Sequence, residues 1–215
     1  MGNATNWLLK LSMGAMAASA LVACQAEDTN RAGTSGKTVT STGTAAIGGP
    51  FTLVDTTGAT VTEADLLGKP HLIYFGFAFC PDVCPTALSK LGAAETLLGE
   101  RGDEVGYILF TVDPERDTAE KLAEYVAFDP FPRGLKGFTG TPEQVDAAKA
   151  VYRVASSKIM PDGSPVPEGN MDYTVDHSDI IYLMGADGQF VDFFSARSTP
   201  QDIAIRVRKV LAEGE

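Results

Sequence analysis

The chain has 215 residues with 17 basic and 28 acidic side chains, which gives a formal net charge of −11. That acidity argues against a nucleic-acid partner, which would select a basic face, and we interpret it as a contribution to solubility. Hydrophobic residues make up 44% of the chain and charged residues 21%, a mixture that supports one globular domain with its own core plus appendages.

The first 24 residues have the character of an export signal. They contain no acid, one lysine (Lys10) and then an apolar run of small residues. The run is too short to span a membrane comfortably and is typical of a signal peptide. It ends in Leu-Val-Ala-Cys24, which resembles a bacterial lipobox. We therefore predict a lipoprotein signal peptide over residues 1–23 and lipidation of Cys24. The alternatives are an uncleaved anchor helix, or an ordinary secretory signal with Cys24 left free.

Residues 24–49 are predicted to be a lipid-anchored flexible tether, and residues 50–215 the folded domain. The stretch after Cys24 is rich in Gly, Ser, Thr and Ala and has almost no large apolar residue, so it cannot bury enough surface to order itself. We expect the protein in the bacterial cell envelope, lipid-anchored to a membrane and facing the periplasm.

The first half of the domain alternates strands and helices. The segments FTLVD and ATVTE flank a Thr-Gly turn and predict a hairpin, and the continuous apolar run over 71–79 predicts a central strand buried on both faces. A helix over 85–98 and a second core strand over 104–113 follow. Further helices are predicted over 118–128 and 141–152, beginning at the cap residues Thr118 and Thr141.

The second half adds a hairpin and a final helix. Residues 156–176 are rich in Pro, Gly and Asp, which indicates a loop or an irregular hairpin. Two apolar runs within 179–194 are joined across Ala-Asp-Gly, a hairpin pattern, and a helix is predicted over 200–211. The whole order predicts a mixed α/β sheet with helices on both faces. A thioredoxin-like fold is one option that matches this order.

Two cysteines with three residues between them lie where the first core strand gives way to a helix. In Cys80-Pro-Asp-Val-Cys84-Pro, Cys84 is expected at the helix N-terminus, where the helix dipole and free N–H groups stabilise a thiolate. A structural disulfide here would close only a tiny loop and constrain little. A redox-active dithiol and a soft-metal site for Cu(I) or zinc remain open as interpretations.

A histidine shifts the balance toward a metal. His177 lies in a loop directly before the strand of the last hairpin, a loop that could lie beside the end of the strand that carries Cys80. A histidine in such a place is more often a surface or capping residue. Two thiolates and one imidazole nevertheless suit copper as Cu(I) or Cu(II), whereas zinc normally requires a fourth ligand.

Two further residues follow from strand direction. Asp113, after the second core strand, would emerge at the same sheet edge as Cys80 if the two strands are parallel. It is therefore either a group that supports the metal ligands or part of a turn that caps the next helix. His71 begins the first core strand, so we expect it at the opposite edge, in a structural role.

The segments FGFAFCPDVCPTAL, FTVDPERDT and VDHSDIIYLMGADGQFVDFF, with their spacing, resemble the Sco/SenC family of copper-binding, thioredoxin-like cytochrome c oxidase assembly proteins. The resemblance covers most of residues 50–213. In it, Cys80 and Cys84 match the family's cysteine ligands, His177 its histidine ligand, and Asp113 its aspartate-bearing loop. The resemblance implies a thioredoxin-like fold with an N-terminal hairpin extension and an insertion before the His-bearing loop.

The resemblance also implies a metallochaperone, not an enzyme in the strict sense. Such a protein delivers copper to the dinuclear copper A centre of cytochrome c oxidase subunit II, or to another copper-accepting protein. The alternative is a periplasmic thiol-disulfide reductase with Cys80 and Cys84 as its redox pair, and a weaker third option is a peroxidase-like or redox-sensing relative. His177 discriminates, because a copper site needs it and a dithiol does not. Since a disulfide offers no thiolate to a metal, we expect a thioredoxin-like reductant as a partner.

Overall fold

The computed structural model describes residues 46–214, and the domain it shows is built on one large mixed sheet. The strands are β1 (Thr52–Asp55), β2 (Thr60–Thr62), β3 (His71–Gly76), β4 (Gly106–Thr111), β5 (Lys136–Thr139), β6 (Ser156–Ile159), β7 (Thr174–His177), β8 (Ile180–Met184) and β9 (Phe190–Ser195). The helices are α1 (Val83–Leu98), α2 (Ala119–Val126), α3 (Pro142–Tyr152) and α4 (Pro200–Glu213). The predicted signal peptide, Cys24 and most of the predicted tether lie outside the described residues.

The sheet order is β2-β1-β5-β4-β3-β8-β9, with β3, β4 and β5 parallel and the other neighbours antiparallel. The strands β3 and β4 are buried along their whole length, as their continuous apolar runs predict. Their aromatic rings meet edge to face, with Phe75 and Phe110 centroids 5.0 Å apart. The strands β6 and β7 pair separately as a two-stranded hairpin. This arrangement is the thioredoxin-like α/β fold that the resemblance implies, and it is one of the options that the element order left open.

The helix starts follow their capping residues. Thr118 accepts a hydrogen bond from the Lys121 amide at 3.3 Å and begins α2. Thr141 and Gln144 form the reciprocal capping box that begins α3. Both caps were predicted from sequence and both are confirmed.

Several boundaries differ from the predictions. The strand β3 ends at Gly76 rather than residue 79, because the Ala78 amide donates to the Asp117 carboxylate instead of continuing the ladder. The helix α1 begins at Val83, which places Cys84 inside its first turn. The strand β5 was not predicted at all.

The N-terminal boundary of the domain also lies earlier than predicted. Residues 46–49, expected in the tether, pack against the domain: the Gly48 amide donates to the Val151 carbonyl at 2.8 Å, and Ile47 contacts the core. Within residues 46–214, none of the helices is both long enough and apolar enough to cross a membrane.

Candidate metal centre

The loop between β3 and α1 presents the two cysteines at one edge of the sheet. A turn closed by the Cys80 amide on the Phe77 carbonyl, at 3.2 Å, reverses the chain after β3. Cys80 is half-buried, and Cys84 is fully buried against the core. Gly76 makes room for Cys84, since a Cβ atom there would lie 3.1 Å from the sulfur. Neither cysteine of the described region is in a disulfide.

A backbone amide in the first turn of α1 points toward the sulfur of Cys80, the more exposed of the two cysteines. The Cys84 amide, one of the helix N–H groups that have no partner within the helix, donates to the Cys80 Sγ at 3.3 Å. The helix N-terminus therefore supports a thiolate on Cys80. The sequence-based expectation assigned this effect to Cys84, and the structure moves it to its neighbour.

His177 reaches the same point from the other side. It is the last residue of β7, paired with Ser156, and not a loop residue as predicted from sequence. Its Nε2 lies 3.4 Å from the Cys84 Sγ, while its Nδ1 lies 3.1 Å from the Ser178 carbonyl oxygen. A carbonyl can only accept, so Nδ1 carries the proton in the neutral ring and Nε2 keeps a free lone pair for a metal.

Two aromatic rings pack against the imidazole. The Tyr74 and Phe77 rings stand edge-on to His177, with centroids 6.0 and 5.9 Å away. The Tyr74 hydroxyl donates to the Asp179 carboxylate at 3.1 Å, which ties β3 to the segment just after the histidine. These contacts limit the orientations that the imidazole can take.

The two sulfurs differ in protonation. The hydrogen bond from the Cys84 thiol lowers the pKa of Cys80 to about 4, with smaller contributions from His177 and the backbone amides. The same hydrogen bond, together with burial, raises the pKa of Cys84. Burial disfavours the His177 imidazolium, but hydrogen bonds to Cys80 and to the Ser178 carbonyl outweigh it and raise the pKa of His177. A half-exposed thiolate on Cys80 therefore stands beside a buried thiol on Cys84.

The donor set suits a soft metal ion. Cys80 interacts with both Cys84 and His177, so two sulfurs and one imidazole nitrogen are mutual neighbours. Among residues 46–214, no three Cys, His, Asp or Glu side chains already converge as a preformed metal cage. Metal binding would therefore require the donors to move closer together and the Cys84 thiol to lose its proton. Thiolate and imidazole together favour copper over the hard cations.

Asp113 lies near this site without touching its three donors. Its carboxylate is fully buried, accepts a hydrogen bond from the Tyr173 hydroxyl at 2.7 Å and pairs with Arg116. Tyr173 belongs to the segment that leads into β7 and His177. Asp113 thus contacts the segment that leads into the strand of His177, and the cap of α2 is supplied by Thr118 instead.

Sequence reasoning missed a second buried acid in the same turn. Asp117 accepts hydrogen bonds from the Ala78 amide at 3.1 Å and from the Thr111 hydroxyl at 2.7 Å. It therefore holds the start of the loop that leads to Cys80. The only sequence signal for it was its place in the run VDPERDT after a buried strand, and that signal does not distinguish it from Asp113.

Known proteins share both the sequence and the architecture. The sequence profile of the SCO1/SenC family matches residues 39–212. Protein SenC of Rhodobacter capsulatus is 44% identical over 165 residues, which cover 77% of this chain and 71% of SenC. The mitochondrial SCO1 homologue of Homo sapiens is 40% identical over 169 residues, 75% of this chain and 52% of its own length. The chain thus spans about half the length of that mitochondrial relative.

Solved structures with copper bound are among the similar ones. Bradyrhizobium japonicum ScoI with copper bound is 42% identical, with a TM-score of 0.66 over 77% of this chain and 99% of that one. Arabidopsis thaliana ScoI with copper bound is 39% identical, with a TM-score of 0.69 over 78% of this chain and 99% of that one. With its profile match over most of the described domain and these relatives in sequence and structure, the chain belongs to the SCO1/SenC family.

Proposed function

We propose that this chain is a copper-binding metallochaperone of cytochrome c oxidase assembly. The observation that carries the proposal is the meeting of Cys84 Sγ and His177 Nε2, 3.4 Å apart, with Cys80 beside them. Cys80 and Cys84 would supply thiolates and His177 its Nε2 lone pair. The copper-bound relatives from Bradyrhizobium japonicum and Arabidopsis thaliana support the choice of metal.

The half-exposed position of Cys80 supports a delivery role. A metal held by three donors, one of them open to solvent, can be attacked by an incoming ligand and exchanged, whereas a closed four-ligand site retains it. The proposed acceptor is the dinuclear copper A centre of cytochrome c oxidase subunit II or another copper-accepting protein. We place the domain outside the cytoplasm, tethered through lipidated Cys24 and served by a thioredoxin-like reductant that keeps the dithiol reduced.

The experiment compares copper binding by the wild-type chain and His177→Ala, both reduced beforehand. We expect one copper per chain in the wild type, with a thiolate-to-Cu(II) charge-transfer band that is lost or shifted in His177→Ala. His71→Gln is the matched control, because His71 is buried at the opposite end of β3 and should leave the band unchanged. Unchanged affinity and spectrum in His177→Ala would contradict the three-donor site.

A second candidate is supported by the difference between the two sulfurs. A half-exposed Cys80 with a lowered pKa and a buried Cys84 with a raised one are arranged as in a dithiol reductase. The Cys80 thiolate would attack a substrate disulfide, and Cys84 would then release the second thiol as the Cys80–Cys84 disulfide forms. No stable copper in the wild type, together with a readily cycling Cys80–Cys84 disulfide, would favour this reductase.

A further inference from the structure

One buried cation contacts both segments that bring the metal donors together. Arg116, in the turn after β4, is only 9% exposed. Its Nε pairs with the Asp113 carboxylate, and its Nη1 donates to the Tyr173 carbonyl at 2.8 Å and to the Met171 carbonyl at 3.3 Å. These carbonyls belong to the segment that enters β7 and ends at His177.

The same guanidinium covers the loop that precedes Cys80. Its Cζ lies 5.0 Å from the Phe79 ring centroid and 5.8 Å from that of Phe77. Phe79 directly precedes Cys80, and Phe77 packs edge-on against His177. The same Cζ lies 3.8 Å from the Tyr173 ring centroid. The Arg116 side chain therefore contacts both the loop that leads to Cys80 and the segment that leads to His177.

The contacts of Arg116 are better suited to orienting its neighbours than to stabilising the fold. A buried ion pair yields little net stability, because desolvation offsets the attraction. Arg116 Nη2 is moreover buried without a hydrogen-bond partner in the described part of the chain, which adds a cost. What the planar guanidinium supplies is geometry, since it donates to two carbonyls and one carboxylate in fixed directions while aromatic rings lie close to its Cζ.

We propose that Arg116 is a positioning residue for the Cys80–Cys84–His177 site. It holds the strand of His177 and the loop of Cys80 in a fixed position relative to each other. The copper readout of this inference rests on the proposed function. The relative position of the two segments is a property of the copper-free chain and is tested there.

The variants are Arg116→Met, which keeps the length of the side chain without its donors, and Arg116→Lys, which keeps the charge without the fork. Arg133→Met is the matched control, because Arg133 is an exposed arginine that pairs with Glu95 away from the site. In the copper-free, reduced chain we expect faster amide hydrogen exchange in residues 77–84 and 171–178 together, with other segments unchanged.

Copper binding supplies the second readout. We expect Arg116→Met to lose affinity by about 10–100-fold, as do substitutions of residues that orient metal ligands, and to alter the Cu(II) charge-transfer band. Arg116→Lys should show a smaller loss. If Arg116→Met does not fold, Arg116→Lys decides by the same readouts.

Wild-type exchange, affinity and spectrum in the Arg116 variants would overturn the inference. Faster exchange throughout the chain would also overturn it, since that marks a general stabilising role. If the wild-type chain binds no copper, the proposed function fails, and the exchange measurement on the copper-free chain still decides the role of Arg116.

Discussion

At the scale of single residues, Asp117 combines burial with a position that the site requires. Burial raises the pKa of Asp117 to about 6, against the opposing hydrogen bonds from Thr111 and Ala78. An acid whose pKa is raised on folding loses stability as the pH rises from its unfolded value toward its folded value. Ionisation of Asp117 therefore lowers the free energy of unfolding. The loss is absent below about pH 4, grows as the pH rises and is complete above about pH 6.

We predict that Asp117→Asn removes this dependence of the free energy of unfolding on pH. The amide reproduces the protonated acid, so the free energy of unfolding at pH 7 should rise relative to wild type, by at most about 3 kcal/mol. Urea unfolding of the copper-free, reduced chain between pH 4 and pH 7 measures it. Identical pH profiles for the two chains would contradict the assignment.

His71 provides a comparison of opposite sign. Burial, with Lys69 nearby, lowers the pKa of His71 to about 4. A base with a depressed pKa loses stability as the pH falls from about 6.5 to about 4, because only the unfolded chain takes up the proton there. His71→Gln should therefore reduce the loss of stability that occurs as the pH falls, whereas Asp117→Asn should reduce the loss that occurs as the pH rises. The same sign of change in both variants would rule out one of the two titrations.

At the scale of elements, the pairing of β3 with β4 depends on a missing side chain. Gly106 lies opposite His71 in the parallel register, and a Cβ atom added to Gly106 would lie 2.1 Å from the His71 ring. We predict that Gly106→Ala destabilises the fold by about 1–3 kcal/mol, the usual cost of overpacking a core. Denaturant unfolding at constant pH measures it.

The contact partner makes this prediction specific. Because the clash is with the His71 side chain, adding His71→Ala should offset part of the loss, so that the double variant is less destabilised than the sum of the singles. Gly92→Ala is the contrast, since its Cβ would meet the backbone carbonyl of Pro130, and no side-chain truncation can relieve that clash. Simple additivity of Gly106→Ala and His71→Ala would contradict this packing.

At the scale of the whole molecule, a metal that binds only the folded chain stabilises all of it. With free copper at about 100 times its dissociation constant, the gain is about 2.7 kcal/mol, which corresponds to a rise in Tm of about 5–10 °C for a chain of this size. We predict this rise for the reduced chain, and its reversal by a copper chelator. Calorimetry with and without copper measures it.

The oxidised chain is the control for that prediction. A Cys80–Cys84 disulfide offers no thiolate, so copper should leave its Tm unchanged. His177→Ala should show a smaller rise than wild type, because one of three donors is missing. An equal rise in the reduced and the oxidised chain would place copper elsewhere on the molecule.

Local patterns in the sequence determined much of the architecture. The hairpin of β1 and β2 and that of β8 and β9 follow from strand-like segments on either side of a turn, and Thr118 and Thr141 cap the helices as predicted. The family resemblance named Cys80, Cys84 and His177 together. These features were readable because hairpins and caps depend on residues a few positions apart, and because a motif keeps its residue types and spacing.

The tertiary structure alone decided the rest. It ends β3 at Gly76 because Asp117, 39 residues away in sequence, takes the Ala78 amide, and it forms β5 from four residues too few to give a sequence signal. It brings His177 to Cys84 across 93 residues, and it lowers the pKa of Cys80 rather than Cys84. Each outcome depends on atoms that only sheet pairing and helix packing bring into contact, and no local pattern encodes their distance.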